Sequence, residues 1–460
     1  MQFLSNEVPE QVAIKLGDLS ITYAHLQQEI DQCSQQLKKL PKAILILNAT
    51  HSIDFIIQLL AAFNCRQPVA LFANQWSDEE KNARLAILGH TMTVNAQGEL
   101  LELHETDYVP HHPQLALVLF TSGTTGQVKA VQLSEKNIQS NCLAVIKALG
   151  FTKVKEQLLF LPLSYSFGLL GQLLPGLMSG LTTHLINQFT DIKLLLETRD
   201  IPQMWSGVPS HWVAINKMAS IYPESAKKIR AIISAGAPLS TTLRSDLRQT
   251  FPNAIIYNNY GLTEGSPRVL TYSSEDPLFM EPYAGYPVGD WLVKLSEDQE
   301  LLLSGSQIML GYLGDEEDSK IQNGWLSTGD IAEILPSGLI AIKGRRDNLV
   351  NVGGEKVNLT EIEQKLCLID EIKEVIVLPL ENEIYGICLF ACLEKSMLPI
   401  SITEQQLTEK IQQHLLPRKL PITVRFLETI PRNQHGKLDR KALLLNSRSF
   451  EHKEQNNAGR

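Results

Sequence analysis

Nowhere in this 460-residue chain does an apolar run reach the length of a bilayer-crossing helix. The longest candidates, such as Ile53 to Phe63, are short or interrupted, so no membrane span is expected. The first ten residues have neither a basic flank nor an apolar core, and a secretion signal is not expected either. Positive charge is in deficit: 41 Lys and Arg stand against 50 Asp and Glu, a formal net charge of −9, which argues against a nucleic-acid surface. Cysteine is sparse and scattered, at 33, 65, 142, 367, 388 and 392. Cys388 and Cys392 sit in an apolar, strand-like run and read as core rather than ligands. Reduced thiols and a cytoplasmic location follow as the expectation. Histidines 104, 111 and 112 have no Cys or carboxylate at ligand spacing and read as loop residues. Internal repeats and low-complexity tracts are absent.

What is present is an ordinary globular composition, 44% hydrophobic and 20% charged, on a chain long enough for two or three domains. Residues 11–80 alternate amphipathic and apolar segments. The spacing predicts helices over Tyr23–Leu37 and Ile53–Asn64, and strands over Ala43–Leu47 and Pro68–Phe72. Such alternation implies an α/β fold, a parallel sheet with helices packed on it. Between Gly89 and Pro113 there is little period to read. Further on, Ser134 can cap a helix to about Leu149, another helix is expected over Ser240–Thr250, and a strand over Ala254–Tyr257.

The most informative stretch begins with the apolar run Leu115–Phe120, a buried strand. It empties into Thr121-Ser122-Gly123-Thr124-Thr125-Gly126, a loop with little side-chain bulk and several hydroxyls. Glycines there let the backbone approach a ligand, and unpaired N–H groups form a concavity suited to phosphate oxygens. Lys129, three residues on, adds a compact positive charge. A Walker loop is excluded, because only two residues separate Gly123 from Gly126 and Ala130 follows the lysine.

Thr-Ser-Gly-Thr-Thr-Gly-x-x-Lys resembles the signature of the adenylate-forming superfamily: acyl- and aryl-CoA ligases, peptide-synthetase adenylation domains and luciferases. Val128 and Ala130 stand where the family usually has Pro and Gly. Four further stretches carry the resemblance in the family's order. Ile232 to Leu239 resembles a strand and small-residue turn whose backbone, at Gly236 and Ala237, lines the adenine and acyl pockets. Asn258-Asn259-Tyr260-Gly261-Leu262-Thr263-Glu264 matches the family's Tyr-Gly-x-Thr-Glu. The resemblance implies Tyr260 stacked on adenine, Thr263 bonded to the α-phosphate and Glu264 holding Mg²⁺, a hard cation content with one or two protein carboxylates. Trp325 to Asp330 matches the segment whose Asp accepts from both ribose hydroxyls, for which a carboxylate has enough lone pairs. Gly344-Arg345-Arg346-Asp347 falls at the family's hinge, with Arg345 near the nucleotide and Asp347 as pivot.

Beyond that point a small α+β domain is expected: a helix over Thr360–Cys367, strands near 372–378 and 385–393, and a helix near 402–415. Its Gly353-Gly354 turn resembles the lining of the thiol tunnel, and Lys437 stands where the family has its catalytic lysine. The implied organisation is an N-terminal ATP- and acyl-binding domain over 1–346 and a mobile C-terminal domain over 347–460.

Tyr165, Ser166, Phe167 and Asn258 are expected in the acyl pocket, Tyr165 where many acyl-CoA ligases have His. Amino-acid-activating relatives carry an Asp about where Ser166 falls; without it a buried ammonium would lack a partner. The implied activity is ATP-dependent activation of a small carboxylic acid to an acyl adenylate, then transfer to a thiol. The acceptor is CoA or, alternatively, the phosphopantetheine of an acyl or peptidyl carrier protein.

Overall fold

The computed structural model describes residues 3–104, 109–122, 128–198, 200–314, 320–352, 355–382, 386–398, 402–416, 420–432, 438–440 and 442–444. Several of its helices start where the sequence offers a hydroxyl. Thr22, Ser52 and Ser134 accept from the main chain at the starts of Tyr23–Leu37, Ile53–Cys65 and Glu135–Ala148, replacing partners that a first turn lacks. Tyr23–Leu37 buries Leu26, Ile30, Cys33 and Leu37, one stripe of an otherwise polar helix. Ile53–Cys65 is apolar nearly all round and buried accordingly.

The chain divides into two compact units. The first comprises Met1–Lys294, Leu302–Thr328 and Ile334–Ile340; the second comprises Leu295–Leu301, Gly329–Glu333 and Ala341–Arg460. In the first, a nine-stranded sheet has a parallel centre running Ile255–Gly261, Ala231–Ser234, Met204–Gly207, Glu156–Leu159, Thr182–Leu185 and Val12–Leu16. Antiparallel strands finish both edges: Arg268–Ser273 and Tyr286–Pro287 on one side, Leu19–Thr22 on the other. Helices bury Trp212, Ile215, Leu243 and Leu247 against Trp205, Ile232 and Ile256. Each such side chain contributes roughly 1.5–3 kcal/mol on burial.

A seven-stranded sheet runs Gly311–Tyr312, Val128–Ser134, Leu115–Ser122, Val69–Phe72, Ile44–Asn48, Thr91–Val94 and Leu100–His104. Phe72, Trp76 and Phe120 meet edge to face with ring centroids 5.6–5.7 Å apart, and the Arg84 guanidinium lies 3.8 Å over the Trp76 ring.

In the second unit Ile376–Asn382 pairs antiparallel with Gly386–Glu394, which pairs parallel with Ile422–Leu427. Leu359–Leu366 and Glu404–His414 supply the helices, and Ile362, Leu366, Leu407 and Ile411 join Val377, Leu389 and Val424 in one core. The fold class is therefore α/β, with an α+β second unit.

Strands that escaped the sequence reading include two in the seven-stranded sheet. Leu100–His104 is an edge strand with exposed Leu100, Leu101 and Leu103, so neither face carries the burial pattern that would betray it. His104 ends that strand, not a loop. The other is Val128–Ser134, which pairs antiparallel with Leu115–Ser122. Among the described residues no helix is long and apolar enough to cross a membrane.

Candidate active site

In open α/β sheets ligands gather beyond the carboxyl ends of the strands, and there the sequence motifs fall. Glu156–Leu159 leads to Tyr165, Ser166 and Phe167; Ala231–Ser234 leads to Gly236 and Ala237; Ile255–Gly261 leads to Thr263 and Glu264. These strands belong to one sheet, so residues a hundred positions apart come to one rim. Ser166 Oγ lies 3.1 Å from Thr263 Oγ1 and either can donate. Asn259, buried, donates to the Ser234 carbonyl at 3.1 Å, and Asn258 reaches the Tyr283 carbonyl at 3.5 Å. Gly261 is required sterically, since a Cβ there would collide with the Pro267 carbonyl.

The second focus is built by the hairpin. Leu115–Ser122 and Val128–Ser134 pair in register, with Thr121 opposite Lys129. Gly123, Thr124, Thr125 and Gly126, and the side chain of Ser122, lie outside the described residues. The chain leaves the loop as a strand, so no helix N-terminus adds its dipole here as it does in a Walker loop. Lys129 Nζ sits 4.6 Å from the centre of the Tyr312 ring. Tyr312 is carried by Gly311–Tyr312, the strand added beside Val128–Ser134, and its hydroxyl donates to Glu264 Oε1 at 2.7 Å. Lys320 Nζ is 3.9 Å from the same oxygen.

Glu264 is only 8% exposed, and its side chain is flanked by the Tyr312 phenol and by Lys320. Among the described residues no group of three or more His, Cys, Asp or Glu could hold a metal by protein ligands alone. That donor set fits Mg²⁺, which accepts one carboxylate and takes its remaining ligands from phosphate and water, and Glu264 is the residue that would hold it.

Tyr165 turns elsewhere than Ser166: it is hydrogen-bonded to Gln75 and Trp76, and burial pushes its hydroxyl above the usual tyrosine range. Phe167 packs beneath the Arg268 guanidinium, 5.0 Å from ring centre to guanidinium carbon.

In the second unit Asp330 is 8% exposed and Arg345 Nη1 stands 3.4 Å from its Oδ1. Gly329 makes room: a Cβ there would come within 2.7 Å of Arg345 Nη2, and its φ of +77° is one that L side chains rarely adopt. Glu300 accepts from the Gly329 N–H at 2.7 Å and from Arg346 Nη1 at 2.7 Å, bracing the turn that presents Asp330. Asp347 lies in the turn Arg346–Asn348, its side chain outside the described residues, as are Gly353, Gly354 and Lys437. The chain on either side of Lys437 is anchored, however. Arg432 bridges Leu438 through the main chain and pairs with Glu374; Arg440 pairs with Glu363.

If Asp330 accepts from both ribose hydroxyls, 2′-deoxy-ATP leaves one of its acceptor sites unpaired. A hydrogen bond to a charged group is worth about 1.5–3 kcal/mol, so kcat/KM should fall roughly 10- to 100-fold. Equal kcat/KM for the two nucleotides would assign Asp330 another task.

The sequence reading missed Tyr312 and Lys320, which surround Glu264, and Glu300, which braces Asp330. None lies inside a recognisable motif; only the pairing of Gly311–Tyr312 with Val128–Ser134 brings Tyr312 in.

The chain belongs to the AMP-binding enzyme family, whose model matches residues 4–313. Among individual relatives, the 2-succinylbenzoate–CoA ligase of Bacillus pumilus is 24% identical over 480 residues, covering 95% of each chain. The ATP-bound MatB of Rhodopseudomonas palustris superposes with a TM-score of 0.83 at 19% identity over 97% of each chain, a likeness of fold. The o-succinylbenzoate CoA synthetase MenE of Bacillus subtilis, solved with its acyl-adenylate intermediate, gives 0.79 at 25% identity over 95% of each chain. A structure of that synthetase with ATP and magnesium ion gives 0.79 at 25% identity, covering 95% of this chain and 97% of that one.

Proposed function

We propose that this AMP-forming acid–thiol ligase activates a small carboxylic acid without an α-ammonium group and passes the acyl group to free CoA. The observation that carries the reading is the meeting of Lys129, Tyr312 and Glu264 in the same unit as the Ser166–Thr263 pair. One focus suits phosphate and a hard cation; the other sets a small polar contact where the acyl segment meets the phosphate motif.

The acid's carboxylate attacks the α-phosphorus of ATP, expelling pyrophosphate and leaving an acyl adenylate; the thiol then displaces AMP. Mg²⁺, where bound, neutralises charge on the phosphates. Thr263 donates to the α-phosphate, Lys129 balances phosphate charge, Tyr260 stacks on adenine between the backbone of Gly236 and Ala237, and Tyr312 orients Glu264. Lys437 would bridge the acid's carboxylate and the α-phosphate during the first step. Asp330 and Arg345 would hold the ribose side, and Gly353-Gly354 would line the thiol's path. No covalent nucleophile is needed, since positioning and charge neutralisation supply the rate. Cys142, fully buried with its thiol pushed up by that burial, has no role in it.

The test is pyrophosphate release over a panel of carboxylic acids with ATP and Mg²⁺, followed by competition between free CoA and a phosphopantetheinyl carrier protein. Acids lacking an α-ammonium are expected to lead, because Ser166 offers such a group no countercharge. An amino acid leading by a wide margin would overturn the pocket assignment, and thioester formed preferentially on the carrier protein would replace CoA as acceptor.

A further inference from the structure

One buried carboxylate belongs to none of the motifs. Glu300 heads the strand Glu300–Ser304 and is 4% exposed. A carboxylate goes inside at a cost, and does so where it is paired and hydrogen-bonded. Its main chain is fixed first. The N–H donates to Ser296 Oγ at 3.1 Å, and the carbonyl accepts from the Ser296 N–H at 2.9 Å. The neighbouring Gln299 carbonyl accepts from the Ala332 N–H at 3.0 Å, which ties this turn to Trp325–Ile334, the strand carrying Asp330. The side chain therefore starts from a rigid base.

Its two oxygens reach different parts of the second unit. Oε1 accepts from the Gly329 N–H, and Oε2 accepts from Arg346 Nη1, both at 2.7 Å. Gly329 is the residue before Asp330. Holding its N–H restrains one of the soft backbone dihedrals immediately ahead of that side chain. Arg346 is the residue before Asp347, and its guanidinium is half-exposed where the Glu300 carboxylate is buried.

Beyond Asp347 the ties lead elsewhere. Asn348 Nδ2 donates to Thr360 Oγ1 at 3.0 Å, in the first turn of the helix Leu359–Leu366. The side chains on either side of position 347 are thus bonded to different elements, one to Glu300 and the other to that helix. A turn anchored in this way concentrates rotation at the residue between its anchors.

We propose that Glu300 is a positioning residue with two arms: through the Gly329 N–H it aims Asp330 at the ribose, and through Arg346 it confines the domain's rotation to Asp347. This rests on the ribose and pivot assignments and deepens both.

The experiment separates the arms. Glu300→Gln keeps an oxygen for the Gly329 N–H and loses the charge that holds Arg346; Arg346→Met removes the same arm from its other end. Each should lower kcat about tenfold, in pyrophosphate exchange and in thioester yield from supplied acyl adenylate alike, because slack at the pivot dilutes every docked pose. The KM for ATP and the preference for ATP over 2′-deoxy-ATP should hold. The double variant should fall no further than either single one, since both remove one interaction.

Glu300→Ala removes both arms and should, in addition, bring the nucleotide preference down to that of Asp330→Ala. Glu300→Asp keeps the charge but shortens the reach, and should erode the preference as well; it keeps the test decisive if Glu300→Ala fails to fold. A merely structural role would lower the rates with both nucleotides together and leave their ratio unmoved. Wild-type preference in Glu300→Ala and Glu300→Asp, with the preference lost in Asp330→Ala, would overturn the proposal and leave the ribose assignment standing. A preference unmoved even by Asp330→Ala would overturn the ribose assignment itself, and the first arm with it. Wild-type kcat in Arg346→Met, or a further loss in the double variant, would overturn the second arm.

Discussion

Glu264→Gln is expected to slow pyrophosphate formation on the order of 10²–10³-fold, most severely at limiting Mg²⁺. The substitution is nearly isosteric, and the amide oxygen can still accept from the Tyr312 hydroxyl that now reaches Oε1 at 2.7 Å. Packing at a site only 8% exposed is thereby preserved, and what disappears is the charge. Tyr312→Phe supplies the contrasting case. It keeps the carboxylate and removes one hydrogen bond, so its loss should be nearer tenfold, about 1.4 kcal/mol. The ordering matters more than either value. Pyrophosphate release by Glu264→Gln at wild-type rate, under limiting Mg²⁺, would remove the cation from this carboxylate.

Lys437→Ala should cripple acyl-adenylate formation, again on the order of 10²–10³-fold, while sparing thioester formation from supplied acyl adenylate. Gly354→Leu should do the opposite, a branched side chain obstructing the thiol's path. Both residues belong to the second unit, and the segment before and after Lys437 is tied into it by the Arg432–Glu374 and Arg440–Glu363 pairs. Loss of one local charge should therefore leave the fold intact. The proposal under test is that the small domain serves the two steps by presenting different faces in turn, with Asp347 absorbing the rotation; hinges are usually a few boundary residues. Pyrophosphate exchange and thioester yield, measured on each variant, decide the matter. Equal loss of both activities in each variant, with folding intact, would refute the alternation.

How much of this was legible in the sequence depended on whether a feature is local. Tyr23–Leu37 carries its own cap and its own apolar stripe, and the structure gives it the expected limits. Ile53–Cys65 and Glu135–Ala148 each lie within a residue of the reading for the same reason. Leu100–His104 has no buried face, and period-based reading has nothing to grip there. The glycine-rich loop was legible as a composition, since glycines and hydroxyls are local properties. The strand that follows it was not, because its identity depends on pairing with Leu115–Ser122.

The candidate site divides along the same line. Thr263 and Glu264 announce themselves in a motif, whereas Tyr312 joins Glu264 across 48 positions and Arg268 reaches Phe167 across a hundred. The arginine did carry a faint signal: a lone cation at the head of the strand Arg268–Ser273, four residues after a motif glutamate. Such a residue is either solvent-facing or has a purpose, and only burial distinguishes the two.

The hairpin that carries the glycine-rich loop bears on how this enzyme can diverge. Thr121 stands opposite Lys129 because six consecutive cross-strand pairs from Leu117–Leu133 to Ser122–Val128 hold the ladder in register. The lysine's position is thus inherited from the strands, whatever residues join them. Val128 and Ala130, the departures from the family's usual Pro and Gly, are strand positions here, where a β-branched residue is favoured and a proline would forfeit a ladder bond. Libraries randomised across 123–126 should retain folded, lysine-competent proteins at high frequency, so that selection acts on nucleotide grip with little interference from folding.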